Sequence, residues 1–246
     1  MQIGASLNRR PIPITQHRFK VELSFSQVRG SLYRYLVEMV EANGQTVIPD
    51  TALTDPSDMV AVWLSKRTDD ECDARHVNYF GRHIEIKDED KTWLCLTGAC
   101  GNGKTTTLRA IAKLLEHIHT DANGKYAKMA PFSWRFIAAT TLAEMCVNDK
   151  LTYAGIRNRQ LLLIDDVGRE PREILDYGNP ITPFIDLMQY RYNNHLGTIF
   201  TTNLNADQLR ERYGNRIGDR MKECCKIVPF LGESFRGRKE QIKMDI

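Results

Sequence analysis

Residues Gly98 to Thr105 read GACGNGKT, a G-x-x-x-x-G-K-[ST] loop. These residue types at this spacing suit polyphosphate chemistry. Gly98, Gly101 and Gly103 let the backbone turn tightly and aim N–H groups at phosphate oxygens. Lys104 can reach the β- and γ-phosphates, and the Thr105 hydroxyl can hold a magnesium ion. With Asn102 and Thr106 in the same stretch, they form the candidate nucleotide-binding set for Mg-ATP. Leu161 to Asp166 read LLLIDD, an apolar run that ends in two carboxylates. Beside a magnesium nucleotide, Asp165 would hold the metal, directly or through water. Asp166 would polarise the attacking water as general base. Thr201-Thr202-Asn203 ends another apolar run, and Asn203 could orient that water near the γ-phosphate. Tyr213 to Met221 carry Arg216 and Arg220, four apart and on one face if the segment is helical. Arginine suits the charge on a phosphoryl group in transfer and is often supplied by a neighbouring subunit.

Positioning these groups needs strands and helices in alternation. Strand candidates are 93–97, 135–139, 161–165, 198–202 and 226–230. Helical patterns fall at 104–119, 140–149, 180–194 and 206–224, the last broken near Gly214. Near-continuous apolar strands between helices predict a parallel sheet covered on both faces. Such a sheet binds ligands at the carboxyl ends of its strands, where the motifs lie. Ahead of it, residues 1–88 form an irregular arm and a small, mainly helical region. Val28, Leu32, Tyr35, Leu36 and Met39 recur at helical spacing, with Gly44 as a stop signal. Asp55-Pro56 can open a second helix. Residues 89–246 form the nucleotide-binding part.

The net charge of +3 is small, but its distribution is uneven. Residues 1–20 and the last stretch, Arg236 to Lys243, are basic, as is the segment 209–222, which suits nucleic acid. No apolar run is long enough for a membrane span, and the first residues lack the apolar core of a secretion signal, so a cytoplasmic protein without a membrane partner is expected. Cys72, Cys95, Cys100, Cys146, Cys224 and Cys225 show no paired metal-ligand spacing. They read as reduced thiols.

Taken together, GACGNGKT, LLLIDDVG, Met188 to Tyr192 followed by TIFTTNL, and RYGNRIGDRM resemble the AAA+ ATPases of the DnaC/DnaI helicase-loader and IstB transposition-ATPase group. The resemblance covers about residues 92–236. It implies an α/β P-loop NTPase with an AAA+ ASCE core, a five-stranded parallel sheet between helices, and no helical lid domain. It also implies ATP hydrolysis and self-association with an arginine finger donated by the neighbouring copy. The second arginine of the motif, Arg220, matches the finger, with Arg216 as the weaker choice. The implied catalytic set is Lys104, Asp166, Asn203 and Arg220, with Thr105 and Asp165 at the metal. Ser234-Phe235-Arg236 resembles the group's terminal motif and implies that Arg236 lies near the nucleotide. Asp165-Asp166 departs from the Asp-Glu of many AAA+ proteins, and the shorter second carboxylate implies slow hydrolysis. The implied partners are a replicative helicase, or alternatively a transposase, with single-stranded or duplex DNA. The expected function is helicase loading in DNA replication. The alternatives are a transposition-targeting ATPase and a nucleotide-switched DNA-binding module with little hydrolysis. Residues 1–88 match no family and are expected to contact the partner.

Overall fold

A computed structural model describes residues 21, 23–44, 51–65, 76–79, 82–85, 91–119, 133–232 and 234–235. The arm at 1–20, Cys72 and Arg236 lie outside them. Helix α1, Phe25–Ala42, starts in a reciprocal cap. Ser24 Oγ accepts from Gln27 N and Gln27 Oε1 accepts from Ser24 N. Its chain leaves through Gly44 at φ 73°. Helix α2, Thr51–Leu64, begins ahead of the expected Asp55-Pro56 start and contains Pro56. Pro56 is the sixth residue, past the four N–H groups that have no partner anyway, so the helix forfeits one intrahelical bond there. A short antiparallel pair, β1 (His76–Tyr79) and β2 (Arg82–Glu85), follows. It was not expected in a region read as mainly helical.

The rest alternates strand and helix: β3 (Trp93–Gly98), α3 (Lys104–His119), β4 (Trp134–Ala138), α4 (Ala139–Asn148), α5 (Lys150–Arg157), β5 (Leu161–Val167), β6 (Ile174–Asp176), β7 (Asn179–Ile181), α6 (Pro183–Asn193), β8 (Gly197–Thr202), α7 (Ala206–Tyr213), α8 (Asn215–Cys224) and β9 (Cys225–Phe230). Five strands form one parallel sheet in the order β4-β5-β8-β3-β9. β3 and β8 thus lie side by side, and β5 flanks β8, so the motif-bearing ends of three strands converge. The expected helix at 206–224 is two helices meeting at Gly214, whose φ of 85° few other residues adopt. Helix α5 and the β6–β7 hairpin were not anticipated. The hairpin turns through Tyr177 and Gly178, both at positive φ, the geometry that suits a two-residue hairpin loop.

One face of the sheet is covered by α3 together with α1 and α2. Val28, Leu32, Leu36, Leu53, Val60 and Leu64 share a buried cluster with Leu108, Ile111 and Leu115 of α3 and with Leu94 and Leu96 of β3. The core therefore runs across the expected boundary at residues 88–89. Polar ties follow the same path. Arg29 of α1 pairs with Asp58 of α2 at 2.7 Å, Lys113 of α3 pairs with Glu38 of α1, and Trp63 donates to the Lys91 carbonyl ahead of β3. The opposite face packs Trp93, Ile164 and Phe200 against α4 to α8. Buried Arg191 of α6 locks this side. It donates to Thr198 Oγ1 and to the carbonyls of Arg157, Arg159 and Gly197. Burial without a carboxylate partner pushes its pKa down to about 9.

Candidate functional site

The loop from Gly98 to Gly103 links β3 to α3 and wraps the start of that helix, where free N–H groups and the helix dipole favour an anion. Its glycines are needed where they stand. Gly98 has φ 145°, and a Cβ there would lie 2.3 Å from the Phe230 carbonyl oxygen. Gly103 has φ 95°, and a Cβ would lie 2.8 Å from Leu53 Cδ1. Asn102 is buried, and its Nδ2 donates to the Phe230 carbonyl at 2.7 Å. Asn102 is therefore a brace between the loop and β9. Lys104 is buried too. Its ammonium donates to the carbonyls of Gly98 (2.8 Å) and Ala99 (2.6 Å) and to Asn102 Oδ1 (3.1 Å). Its charge is held inside the loop by neutral oxygens.

The two carboxylates sit on a bulge. β5 pairs Ile164 with Phe200 and Val167 with Thr202, so β5 advances three residues while β8 advances two. The extra residue breaks the alternation that would send consecutive side chains to opposite faces. Asp166 takes it up at φ 58°, a left-handed conformation that aspartate tolerates better than most residues. Asp165 Oδ1 accepts from Thr105 Oγ1 at 3.0 Å and from Thr201 Oγ1 at 2.6 Å. Asp166 N donates to the same Thr201 oxygen at 2.8 Å, and Asp166 Oδ2 accepts from Arg169 Nη1 at 3.0 Å. Thr202 Oγ1 donates to the Val167 carbonyl. Thr201 and Thr202 are thus the struts of the site. Their signal was present in the sequence as two buried hydroxyls ending an apolar strand.

Asp166, exposed Asn203, Thr105, Thr106, Lys104, Gly101, Gly103 and Cys100 line one cleft. Gly98 and Asn102, expected in the nucleotide-binding set, do not line it; they hold the Lys104 ammonium through the Gly98 carbonyl and Asn102 Oδ1. The cleft also has an apolar side that sequence reasoning missed, formed by Val40 of α1, Leu53 of α2 and Phe235. Phe235 N donates to the Gly101 carbonyl at 2.9 Å, which ties the chain beyond β9 to the loop. An anion-binding cradle beside an apolar wall matches the two ends of a nucleotide. The Thr105 hydroxyl and Asp165 carboxylate are hard oxygen donors of the kind magnesium takes. The residues present therefore fit both groups. Among the described residues no group of three or more His, Cys, Asp or Glu side chains is placed to hold a metal ion.

The arginine motif lies apart from this cleft. Arg216 is exposed, whereas Arg220 is half-buried with its guanidinium 4.5 Å from the centre of the Tyr192 ring. Neither lines the cleft of its own chain. The basic segment 209–222 is not one open patch either. Arg210 pairs with Asp219 at 2.8 Å, and Arg212 turns inward to Glu170. Among the described residues Cys95 and Cys225 are buried, and Cys100 is exposed at the loop. No helix among the described residues is long and apolar enough to cross a membrane.

No protein-family model and no curated protein matches the chain. Solved structures do. A structure of DnaI is 26% identical, covering 58% of this chain and 72% of its own, with a TM-score of 0.42. A structure of the DnaC helicase loader is 22% identical over 56% of this chain and 77% of its own, with a TM-score of 0.38. A primosome component of Streptococcus pyogenes serotype M3, described as putative, is 21% identical over 58% of this chain and 70% of its own, with a TM-score of 0.41. With its phosphate loop on β3, paired carboxylates on the neighbouring-but-one strand β5 and the sheet order above, the chain has an α/β P-loop NTPase fold.

Proposed function

We propose that this chain is a Mg-ATP-dependent AAA+ ATPase that loads a replicative helicase onto DNA. The observation that carries the ATPase reading is the Thr105–Asp165–Thr201 hydrogen-bond chain beside the glycine loop, with Asp166 and Asn203 lining the same cleft. Magnesium-bound ATP supplies the phosphoanhydride bond that is cleaved. Lys104 leaves its loop carbonyls for the phosphates, with the loop N–H groups as further donors. Val40, Leu53 and Phe235 receive the base. Asp166 accepts the proton of the attacking water, and Asn203 orients that water. Arg220 of a neighbouring copy steadies charge on the transferring phosphoryl group, which requires it to leave Tyr192. Hydrolysis then releases the assembly from DNA. The loader assignment rests on the motif set, which transposition ATPases share. Pull-down with the full chain, an ATP analogue and single-stranded DNA separates the two. Retention of a replicative helicase is expected, and retention of a transposase alone overturns the assignment.

One contact favours a second reading, a nucleotide-switched DNA-binding module with little hydrolysis. Arg169 occupies the carboxylate that would act as base. Single-stranded DNA that leaves ATP turnover near zero while strengthening nucleotide binding would establish that reading in place of the first.

A further inference from the structure

Glu170 lies just past the turn that carries Asp166 and is 2% exposed. A carboxylate at that depth is costly to desolvate unless its oxygens are bonded. Its oxygens are used. Glu170 Oε2 accepts from Gly168 N at 2.8 Å, and Oε1 accepts from the Tyr213 hydroxyl. Arg212 Nε stands 3.9 Å from Oε1, and Arg212 Nη2 donates to the Glu170 carbonyl. Burial of Tyr213, followed by the Glu170 charge, raises the tyrosine pKa and keeps its proton on the bridge. Tyr213 and Arg212 end α7, directly before the Gly214 break and the helix that carries Arg216 and Arg220.

The turn between Asp165 and Glu170 needs such bracing. Asp166 and Gly168 both stand at positive φ, 58° and 103°, and a left-handed non-glycine residue persists only where its surroundings hold it. β8 holds one side through Thr201 and Thr202. Glu170 holds the other through Gly168. At Gly168 the turn also faces the loop of Asn203, since a Cβ there would lie 2.8 Å from Leu204 Cδ1.

We propose that Glu170 is a positioning residue: through Gly168 it fixes the turn that aims Asp166 into the cleft, and through Tyr213 it registers that turn on α7. The proposal rests on the reading of Asp166 as the base. Space-filling alone would be served by an apolar side chain without the desolvation cost.

The test uses the full chain with Glu170→Ala, Glu170→Gln and Asp166→Asn, measuring nucleotide-analogue affinity, single-turnover hydrolysis and Tm. Glu170→Ala is expected to keep affinity within about threefold while hydrolysis falls about tenfold or more, as small misplacement of a reacting group does. Glu170→Gln is expected to recover most of the rate, since its amide oxygen accepts from Gly168 N and its amide NH2 donates to the Tyr213 oxygen. Wild-type hydrolysis in Glu170→Ala overturns the proposal. So does a loss of affinity in step with rate, or no recovery in Glu170→Gln. If Glu170→Ala fails to fold, Tyr213→Phe removes one hydroxyl of the same bridge. Reduced hydrolysis at unchanged affinity then supports the proposal, and wild-type hydrolysis overturns it. Wild-type hydrolysis in Asp166→Asn instead overturns the base assignment, whatever Glu170 does.

Discussion

Lys104 was legible as a phosphate ligand from its place in GACGNGKT, but its resting partners were not. Three oxygens within 3.1 Å hold its ammonium in the loop, so the same charge that meets phosphate also stiffens the loop. Lys104→Ala is expected to lower nucleotide affinity by about 3 kcal/mol, roughly a hundredfold, the scale of a lost charge-assisted contact. Titration with a fluorescent ATP analogue checks this, and affinity within a few-fold of wild type would remove Lys104 from the site. Gly98 makes the converse case, a residue whose value is its missing side chain. Gly98→Ala puts a Cβ 2.3 Å from the Phe230 carbonyl oxygen at φ 145°. A destabilisation of about 2–4 kcal/mol is expected by urea unfolding, the range for combined strain and overpacking. Motif reading marked Gly98 for its backbone freedom. The clash with β9 was invisible, because it depends on a residue more than a hundred positions away in the chain.

The main sheet's strands were legible to within a residue or two at most ends, because buried parallel strands read as continuous apolar runs. The β5 bulge was not, since nothing in LLLIDD distinguishes a regular strand end from an inserted residue at Asp166. The β6–β7 hairpin escaped for a related reason. Its strands are three residues each, too short for a period to register, and Tyr177 stands where Asn, Asp or Gly would have signalled the turn. Helices α7 and α8 carry the element-scale prediction. Gly214 separates them and lets α8 set off in its own direction, with Arg216 exposed and Arg220 against Tyr192. Arg220→Ala is expected to leave nucleotide affinity unchanged and to lower turnover about a thousandfold, the low end for a trans arginine. Steady-state ATPase at concentrations that support self-association checks it. If Arg216→Ala removes turnover and Arg220→Ala does not, the exposed arginine is the finger and the stacked one is a packing residue.

At the scale of the molecule, the cleft is closed by segments from far ends of the described chain. Leu53 of α2 and Phe235 beyond β9 stand against the phosphate loop, and Val40 of α1 joins them. The sequence marked residues 1–88 as separate because they match no family and the strand–helix alternation begins after them. Shared burial leaves no such trace in a linear pattern. Leu53 is 1% exposed, so Leu53→Ala is expected to cost about 2–5 kcal/mol and also to blunt stabilisation by nucleotide. For wild type at a hundredfold excess over Kd, nucleotide should add about 2.7 kcal/mol, and calorimetry with and without ATP analogue measures both effects. The same packing bears on where a fragment can be cut. Leu32, Leu36, Leu53 and Leu64 are all essentially inaccessible to solvent and cover α3 and the β3 side of the sheet. A fragment of residues 89–246 would present that apolar face to water. At roughly 2–3 kcal/mol for each large side chain left uncovered, the loss rivals the whole stability of an ordinary domain. The fragment is therefore expected to lack a cooperative thermal transition and to aggregate, and adding residues 21–65 is expected to restore folding. A fragment that melts cooperatively near the wild-type Tm would show that α1 and α2 are a separable module, free to engage a partner without disturbing the nucleotide cleft.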